Sequence, residues 1–263
     1  MKIAICFSGQ MRTAVAAAPN IRRFIGDLLP DIDFFIHTWD INEQKAYGLI
    51  NGAIPEYRKD TTPKKQEIQE VTQKDIYEYT ALYNPKVIRM DNFELFQDKM
   101  WSTRTAYQPP LFYSWRKSVL YCMRYSIECN LKYDVVIKLR PDIVFSETRR
   151  LSTEIDHYLN DTTAFYCNNA SKDMIDDVFW LSSPEVMFIL SNFGDPYLSL
   201  QSKIPFRDFI LFNNINIKSM ICYGYAPVRP ETLEYDVLTE FDKLYYYDQY
   251  WYSSNEPFHW SGE

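Results

Sequence analysis

The chain has 263 residues, a formal net charge of -7, 46% hydrophobic and 17% aromatic residues, and only 7 glycines. A chain of this length buries roughly three quarters of its unfolded surface, so one large domain with a substantial core is expected and whole-chain disorder is excluded. Acidic residues outnumber basic ones 35 to 28, which argues against a nucleic-acid partner because that affinity depends on Lys and Arg neutralising phosphates.

Cysteine spacing and hydropathy indicate the cellular compartment in which the protein is expected. The five cysteines are widely spaced and include no C-x-x-C pair, which favours a reducing environment over a disulfide framework or a zinc knuckle. The apolar run at the N-terminus is too short for a signal peptide, and no apolar stretch reaches the roughly 18–20 residues of a membrane span. The sequence therefore predicts a cytoplasmic protein with no integral membrane segment.

The first predicted elements form a β-α-β unit. Lys2 to Phe7 is a nearly continuous apolar run, typical of a strand buried on both faces. A helical stripe follows from Val15 to Leu29, and Asp33 to Thr38 predicts a second buried strand. Two strands joined through a helix are expected to lie parallel in one sheet.

The middle of the chain combines an irregular stretch with a second αβ pair. Residues 42–86 are interpreted as a solvated insertion, a candidate lid, and Lys86 to Met90 as a short strand. A long helix is predicted after Gln108-Pro109-Pro110 and extends to Cys129. It leads into a buried strand over Tyr133 to Leu139, which Arg140-Pro141-Asp142 ends because proline cannot donate to the ladder.

The second half is predicted to contain shorter elements. These are strands near Thr163–Cys167, Val178–Leu181 and Met220–Tyr225, helices starting at Ser183 and over Phe206–Asn214, and a helical stretch from Glu231 that runs into a tyrosine-rich tail. No internal repeat or low-complexity linker separates the halves. We therefore expect a single α/β domain with two lobes, 1–142 and 143–263, built on a mostly parallel, Rossmann-like twisted sheet flanked by helices.

Polar residues follow the first predicted strand, at the edge where open parallel sheets bind ligands. Ser8, Gly9, Gln10 and Arg12 precede a helix N-terminus, where free amides and a guanidinium suit a phosphate. The second and third glycines of a dinucleotide fingerprint are absent. The alternative is an ordinary turn in which Arg12 pairs with a carboxylate.

Two further clusters end predicted strands. His37, Trp39 and Asp40 end the second strand, where an acid can bind ribose hydroxyls and an aromatic ring can cover a base; His37 alone is also typical of a satisfied core residue. Lys138, Arg140 and Asp142 share a face if the strand geometry continues through Pro141. Two cations beside a carboxylate suit a diphosphate, with or without a divalent metal on Asp142, but also fit a buried ion pair.

A pair of acids precedes the strand predicted at Val178. Asp177, or its neighbour Asp176, is a candidate general base for a sugar hydroxyl. The alternative is two surface aspartates in a turn. The aromatic tail after Leu244 is read either as packing or as a platform on which acceptor sugars stack.

Taken together, five segments resemble, in order, a family of small proteins assigned as glycosyltransferases with a GT-A-like fold, found in surface-polysaccharide gene clusters and in large viruses and phages. The segments are Phe7–Thr13, Phe35–Asp40, Tyr113–Lys117, Tyr133–Asp142 and Asp176–Trp180. The resemblance implies a nucleotide sugar held by the N-terminal half, with Trp115 and Lys117 on a helix beside it. It also puts Asp142 at the last acid of a motif for Mn²⁺ or Mg²⁺, although Arg140 stands where the first acid belongs.

The leading hypothesis is transfer of a sugar from a nucleotide sugar, with a UDP-sugar expected, to a hydroxyl of a glycan or glycoconjugate. The alternatives are a nucleotidyltransferase or sugar-phosphate hydrolase using the same anion pocket, and an inactive carbohydrate-binding protein. The resemblance also makes His259 a candidate metal ligand, with packing in the aromatic tail as the alternative.

Overall fold

The fold is known from a computed structural model, which describes residues 1–11, 13–41, 70–93, 95–96, 109–146, 148–167, 175, 177–195, 204–220 and 225–227. The strands with assigned bounds are β1 (Ile3–Ser8), β2 (Ile32–Trp39), β3 (Val87–Asp91), β4 (Val135–Leu139), β5 (Ile143–Phe145), β6 (Phe165–Cys167), β7 (Phe179–Ser182), β8 (Ile217–Ser219) and β9 (Tyr225–Pro227). The helices are α1 (Ala14–Ile25), α2 (Gln73–Tyr83), α3 (Pro109–Glu128), α4 (Leu151–Tyr158), α5 (Pro184–Ser191) and α6 (Phe206–Phe212).

Within the described residues, the main sheet has seven strands in the order β3-β2-β1-β4-β7-β6-β8, and β5 pairs with β9 in a separate two-stranded sheet. Six of the seven strands run in one direction. Only β7 runs the other way, because it pairs antiparallel with both β4 and β6. The predicted α/β class, a mostly parallel Rossmann-like sheet flanked by helices, is confirmed.

Helices cover both faces of the central strands. On β1, Ile3, Ile5 and Phe7 pack in a core that includes residues of α1 and α2. Ala4 and Cys6 belong to a second core with residues of α3. Every residue of β1, β2 and β4 is buried, which is why these strands read as continuous apolar runs rather than as alternating ones.

The prediction of a solvated insertion is wrong for residues 73–83. Residues 73–83 form helix α2, which Thr72 and Asp75 start with a capping box. Its tyrosines Tyr79 and Tyr83 are buried against Phe7 and Phe34, so this helix belongs to the core. The charged residues around it concealed the helix, because its buried positions are the tyrosines Tyr79 and Tyr83, and its aliphatic residues Ile76 and Leu82 are only partly buried.

Most of the other predicted elements are confirmed, but the sequence patterns do not predict β5 or α4, and the region near Met220 differs. At the two ends of the strand predicted over Met220–Tyr225, Met220 follows β8, which ends at Ser219, and Tyr225 begins β9. Residues 221–224 lie outside the described residues. The predicted helix from Glu231, the aromatic tail, His259 and most of the stretch between Asn42 and Glu70 lie outside the described residues. None of the described helices has the length and apolar character needed to cross a bilayer.

Candidate functional site

The candidate site lies at the carboxyl edge, the edge of the sheet at which β1, β2, β3 and β4 end. Ser8, the last residue of β1, is opposite His37 on β2. Gly9 follows with φ +123°, a backbone conformation that side-chain-bearing residues avoid. A Cβ at Gly9 would lie 4.0 Å from Pro141 Cδ, so the backbone angle, and not a lack of space, requires glycine here.

The loop after β1 leads into the N-terminus of α1. Thr13 occupies the N-cap position, but its side chain makes no capping hydrogen bond, and the first turn contains no acidic residue. The first amides of a helix carry partial positive charge and can bind an anion when no side chain occupies them. Gln10 is half-buried in this loop, and Arg12 lies outside the described residues. Ser8 Oγ is buried and has no hydrogen-bond partner among the described residues.

Behind this loop, His37 connects two elements. The amide of Gly9 donates to Ser114 Oγ on α3 at 2.9 Å, and His37 Nδ1 lies 2.8 Å from the same oxygen. His37 Nε2 lies 3.2 Å from Asp91 Oδ2 at the end of β3. Burial lowers the pKa of His37 and outweighs the opposing effect of Asp91, so the buried imidazole is neutral at neutral pH.

Several donor groups surround one carboxylate oxygen of Asp91. Its Oδ2 accepts a 2.8 Å hydrogen bond from the Tyr113 hydroxyl and lies 3.8 Å from Lys117 Nζ. With His37 as the largest cause, these contacts lower the pKa of Asp91 to about 2. Sequence reasoning missed Asp91, Ser114 and Tyr113 as site residues. The available signal was positional, since Asp91 lies at the end of the third parallel strand and Asp40 directly follows the second.

Trp39 and Asp40 make internal contacts at this edge. Trp39 is buried and packs against Phe93, Phe96 and Tyr113. The Asp40 carboxylate accepts from the Phe93 amide at 2.8 Å and from Asn92 Nδ2 at 2.6 Å. The structure therefore brings both residues to the predicted edge and engages them with the segment after β3, while their predicted role toward a nucleoside stays a prediction.

The end of β4 contributes cations and one buried carboxylate. Lys138 is fully buried, with Nζ 4.4 Å from the ring centroid of Trp180. Arg140 binds Asp142 with two hydrogen bonds, from Nε to Oδ1 at 3.0 Å and from Nη2 to Oδ2 at 2.8 Å. Arg140 keeps 18% of its side chain exposed, whereas Asp142 keeps 2%. The guanidinium is thus the more accessible member of the pair.

The two α3 residues that the resemblance selected differ in exposure. Trp115 is fully buried against Trp180, and within the described part of the chain its Nε1 has no hydrogen-bond partner. Lys117 keeps 35% of its side chain exposed beside Asp91, with Nζ 5.2 Å from the ring centroid of Tyr113. Of the two, Lys117 is the one able to contact a ligand at the carboxyl edge.

The described residues do not fit a divalent metal at Asp142. Mn²⁺ and Mg²⁺ take several oxygen ligands, whereas both carboxylate oxygens of Asp142 accept from Arg140. Among the described residues, no group of three or more His, Cys, Asp or Glu side chains could hold a metal ion. The predicted Mn²⁺ or Mg²⁺ stays a prediction, and the Asp142 carboxylate is already engaged by Arg140.

Asp177 lies beside Arg140 because of the direction of β7. Phe179 of β7 is opposite Leu139 of β4 in the antiparallel pair, so β7 begins where β4 ends. The amide of Arg140 donates to the carbonyl of Val178 at 3.1 Å. Asp177, half-buried, directly precedes Val178 and therefore lies at the carboxyl edge. Asp176 is outside the described residues.

Comparisons with known proteins assign neither a family nor a function to this chain. No protein-family model matches the chain, and no curated protein matches its sequence. Mouse xyloside xylosyltransferase 1, in its apo form, is similar with a TM-score of 0.38 and 7% identity, covering 92% of each chain. The 4-diphosphocytidyl-2C-methyl-D-erythritol synthase of Anaerococcus prevotii has a TM-score of 0.39 and 10% identity, covering 95% of this chain and 96% of the other. At these values neither likeness carries an argument about function.

Proposed function

We propose that the protein is a glycosyltransferase that moves a sugar from a nucleotide sugar, a UDP-sugar being the expected donor, to a hydroxyl of a glycan or glycoconjugate. One juxtaposition supports this proposal. The Gly9 loop with the uncapped N-terminus of α1, the partly exposed Arg140, and Asp177 at the start of β7 meet at one edge of the sheet. Such a site offers cations and amides to a diphosphate and a carboxylate to an acceptor.

The diphosphate leaving group is assigned to the cationic side of the site. Amides after Gly9 and the guanidiniums of Arg12 and Arg140 stabilise the charge that develops on the departing phosphate oxygen. Lys138 is buried and supports the same charge at longer range, without contacting the donor. Because Arg140 is already positive, part of the neutralisation that a divalent metal would supply comes from the protein.

The acceptor is assigned to the opposite side. Asp177 is proposed as the general base that removes the proton of the acceptor hydroxyl if configuration inverts, with Asp176 as its alternative. The half of the chain from residue 143 onward would then form the acceptor lobe. On the donor side, Lys117, with 35% of its side chain exposed, would contact the nucleoside together with Asp40, whereas the buried His37, Trp39 and Trp115 would support that side from below.

Binding and transfer assays on paired variants test this proposal. Calorimetry with UDP- and GDP-sugars, with and without Mn²⁺, is expected to reveal one tight donor. Asp177→Asn should retain donor binding and lose transfer at least about 100-fold, the usual contribution of a general base. Asp156→Asn, an exposed acid on α4, is the matched control and should transfer at the wild-type rate.

The alternatives predict different products. Free sugar released at the same rate with and without a glycan acceptor would identify a hydrolase, and a nucleotide product joined to a phosphate acceptor would identify a nucleotidyltransferase. Glycan binding without any turnover would identify a carbohydrate-binding protein. Absence of binding to every nucleotide sugar would overturn the proposal.

A further inference from the structure

A chain of polar contacts passes beneath α3 from the loop after β1 to the end of β3. It connects the amide of Gly9 to Ser114 Oγ at 2.9 Å, Ser114 Oγ to His37 Nδ1 at 2.8 Å, and His37 Nε2 to Asp91 Oδ2 at 3.2 Å. Ser114 and His37 are both buried. These residues lie far apart in the sequence, and the parallel pairing of the strands brings them together.

The hydrogens in this chain follow from the charge of Asp91. An ionised carboxylate facing Nε2 favours the neutral imidazole with its proton on Nε2, although the alignment falls short of a full hydrogen bond. Nδ1 is then an acceptor, and the Ser114 hydroxyl donates to it rather than to the His37 carbonyl, which is farther away at 3.2 Å. Ser114 Oγ keeps a lone pair for the amide of Gly9. The Gly9 amide and the Ser114 hydroxyl thus both donate in the direction of Asp91, and His37 Nε2 lies 3.2 Å from its carboxylate.

Ser114 does not have the surroundings of a nucleophile. Its side chain is fully buried, and its oxygen is occupied by the Gly9 amide on one side and by His37 on the other. A substrate atom therefore has no approach to this oxygen. The arrangement fixes a backbone amide instead of attacking a substrate.

We propose that Ser114 and His37 are positioning residues that hold Gly9 and the loop after it in the conformation that binds the donor phosphates, with Asp91 orienting the imidazole. This inference rests on the proposed function. Gly9 has a positive φ, and its amide would otherwise be free to rotate away from α3. Hydrogen bonds in a buried chain polarise one another, so the charge of Asp91 strengthens the hold on Gly9. A preorganised loop binds its ligand without first being ordered.

Two serines on the same helix provide a matched test. Ser114→Ala removes the acceptor of the Gly9 amide. Ser118→Ala removes an equally buried hydroxyl that donates only to the Trp115 carbonyl within α3. With UDP as the probe, calorimetry is expected to give a Kd about ten-fold higher for Ser114→Ala and within two-fold of wild type for Ser118→Ala. In transfer assays the increase should appear in donor KM more than in kcat.

Two measurements on the ligand-free protein separate this inference from the proposed function. Hydrogen exchange at the Gly9 amide should accelerate at least ten-fold in Ser114→Ala and remain unchanged in Ser118→Ala. Nitrogen-15 chemical shifts of the His37 ring should identify the Nε2–H tautomer in the wild type. Asp91→Asn, which keeps the shape and removes the charge, should reduce protection at Gly9 by a smaller factor.

The outcomes discriminate clearly. Unchanged Gly9 exchange in both Ser114→Ala and Asp91→Asn, or an Nδ1–H tautomer in the wild type, would overturn the proposed chain of polar contacts whatever the protein binds. If the chain of contacts is present and UDP binds equally to Ser114→Ala and Ser118→Ala, the positioning role is wrong. If no nucleotide sugar binds the wild type while the exchange result holds, the proposed function fails and the chain of contacts stands.

Discussion

At the residue scale, Arg140 and Asp142 form a pair whose members differ in burial. Asp142 is almost completely buried and depends on the guanidinium for two hydrogen bonds, whereas water reaches part of Arg140. Pairs of this kind contribute little net stability when they are intact, but removing one partner leaves an uncompensated charge in the interior. The pair therefore stabilises the chain at the end of β4 and leaves a partly exposed guanidinium at the carboxyl edge.

Arg140→Met should lower the free energy of unfolding by about 3 kcal/mol, toward the low end of the range for breaking a buried pair because Arg140 is partly exposed. Urea denaturation measures this change. The double variant Arg140→Met/Asp142→Leu should recover part of the loss, since no charge is then left behind. A single variant as stable as the wild type would contradict the assigned role of the pair.

A second residue-scale prediction concerns pH. Burial lowers the pKa of His37, so the unfolded chain takes up a proton at the ordinary pKa of about 6.5 while the folded chain stays neutral to lower pH. The contribution of His37 is therefore complete above pH about 6.5 and is lost as the pH falls toward its lowered folded pKa. Asp91, with its pKa lowered to about 2, loses its contribution only at more acidic pH, below its ordinary value.

Urea unfolding at pH 8, 6.5 and 5.5 tests this dependence. The wild type should become progressively less stable across the series, and His37→Gln should flatten the trend. His157→Gln, a change at the end of α4, should leave the slope in place. An equal slope in the wild type and His37→Gln would refute the assignment to His37.

At the scale of elements, side chains of α1 form hydrogen bonds with the backbone of β5. Asn20 donates from Nδ2 to the Phe145 carbonyl at 2.9 Å, and its Oδ1 accepts from the Phe145 amide at 2.7 Å. Arg23 adds hydrogen bonds to the carbonyls of Phe145 and Ser146. These hydrogen bonds fix α1, which follows the Gly9 loop, to β5, which follows Asp142. They therefore hold the Gly9 loop and the end of β4 in a fixed relative position.

Asn20→Ala should reduce the free energy of unfolding by about 1–3 kcal/mol, because the amide of Phe145 loses its acceptor in a partly buried site. The Phe145 carbonyl keeps Arg23 as a donor. The change can be measured by chemical denaturation. Asn160→Ala, an exposed asparagine that bonds only to nearby backbone carbonyls, is the control and should change stability by less than about 0.5 kcal/mol. Equal effects of the two variants would contradict the proposed tie.

At the scale of the whole molecule, α3 connects the first strands to the part of the chain around residue 194. Its Ser114 contacts the loop after β1, and its Arg116 binds Asn192 at 2.6 Å and Asp195 at 2.7 Å. Gly194 approaches this helix so closely that an added Cβ would lie 2.1 Å from the carbonyl oxygen of Phe112. The backbone around Gly194 therefore packs directly on α3, and only glycine allows that distance.

Gly194→Ala should destabilise the protein by several kcal/mol, because backbone has to move on both sides of the contact. Gly26→Ala is the control that separates the cost of backbone strain from the cost of a steric clash. Gly26 has φ +58° and ψ −132° but no heavy atom within 4 Å of an added Cβ, so its cost should come from backbone strain alone and amount to about 1–3 kcal/mol. Thermal and urea unfolding compare the two variants. A Gly194→Ala protein no less stable than Gly26→Ala would contradict the close packing.

The sequence by itself determined the central framework of this protein. Continuous apolar runs predicted β1, β2 and β4, and the prolines before Leu111 marked the start of α3, because burial on both faces and helix punctuation are local signals. The same signals placed Ser8, Gly9, Arg140 and Asp142 at strand ends. Helix α2 was missed, since its buried face is formed by Tyr79 and Tyr83 within a charged stretch.

Only the tertiary structure decided which of these residues meet. The reversed direction of β7 brings Asp177 next to Arg140, and the pairing of β1, β2 and β3 beneath α3 joins Gly9, Ser114, His37 and Asp91. Local periodicity encodes which face of an element is buried, but not the direction of a strand or its neighbour in the sheet. Those depend on contacts between residues tens of positions apart, whose free energy exists only once the chain has closed the loops between them.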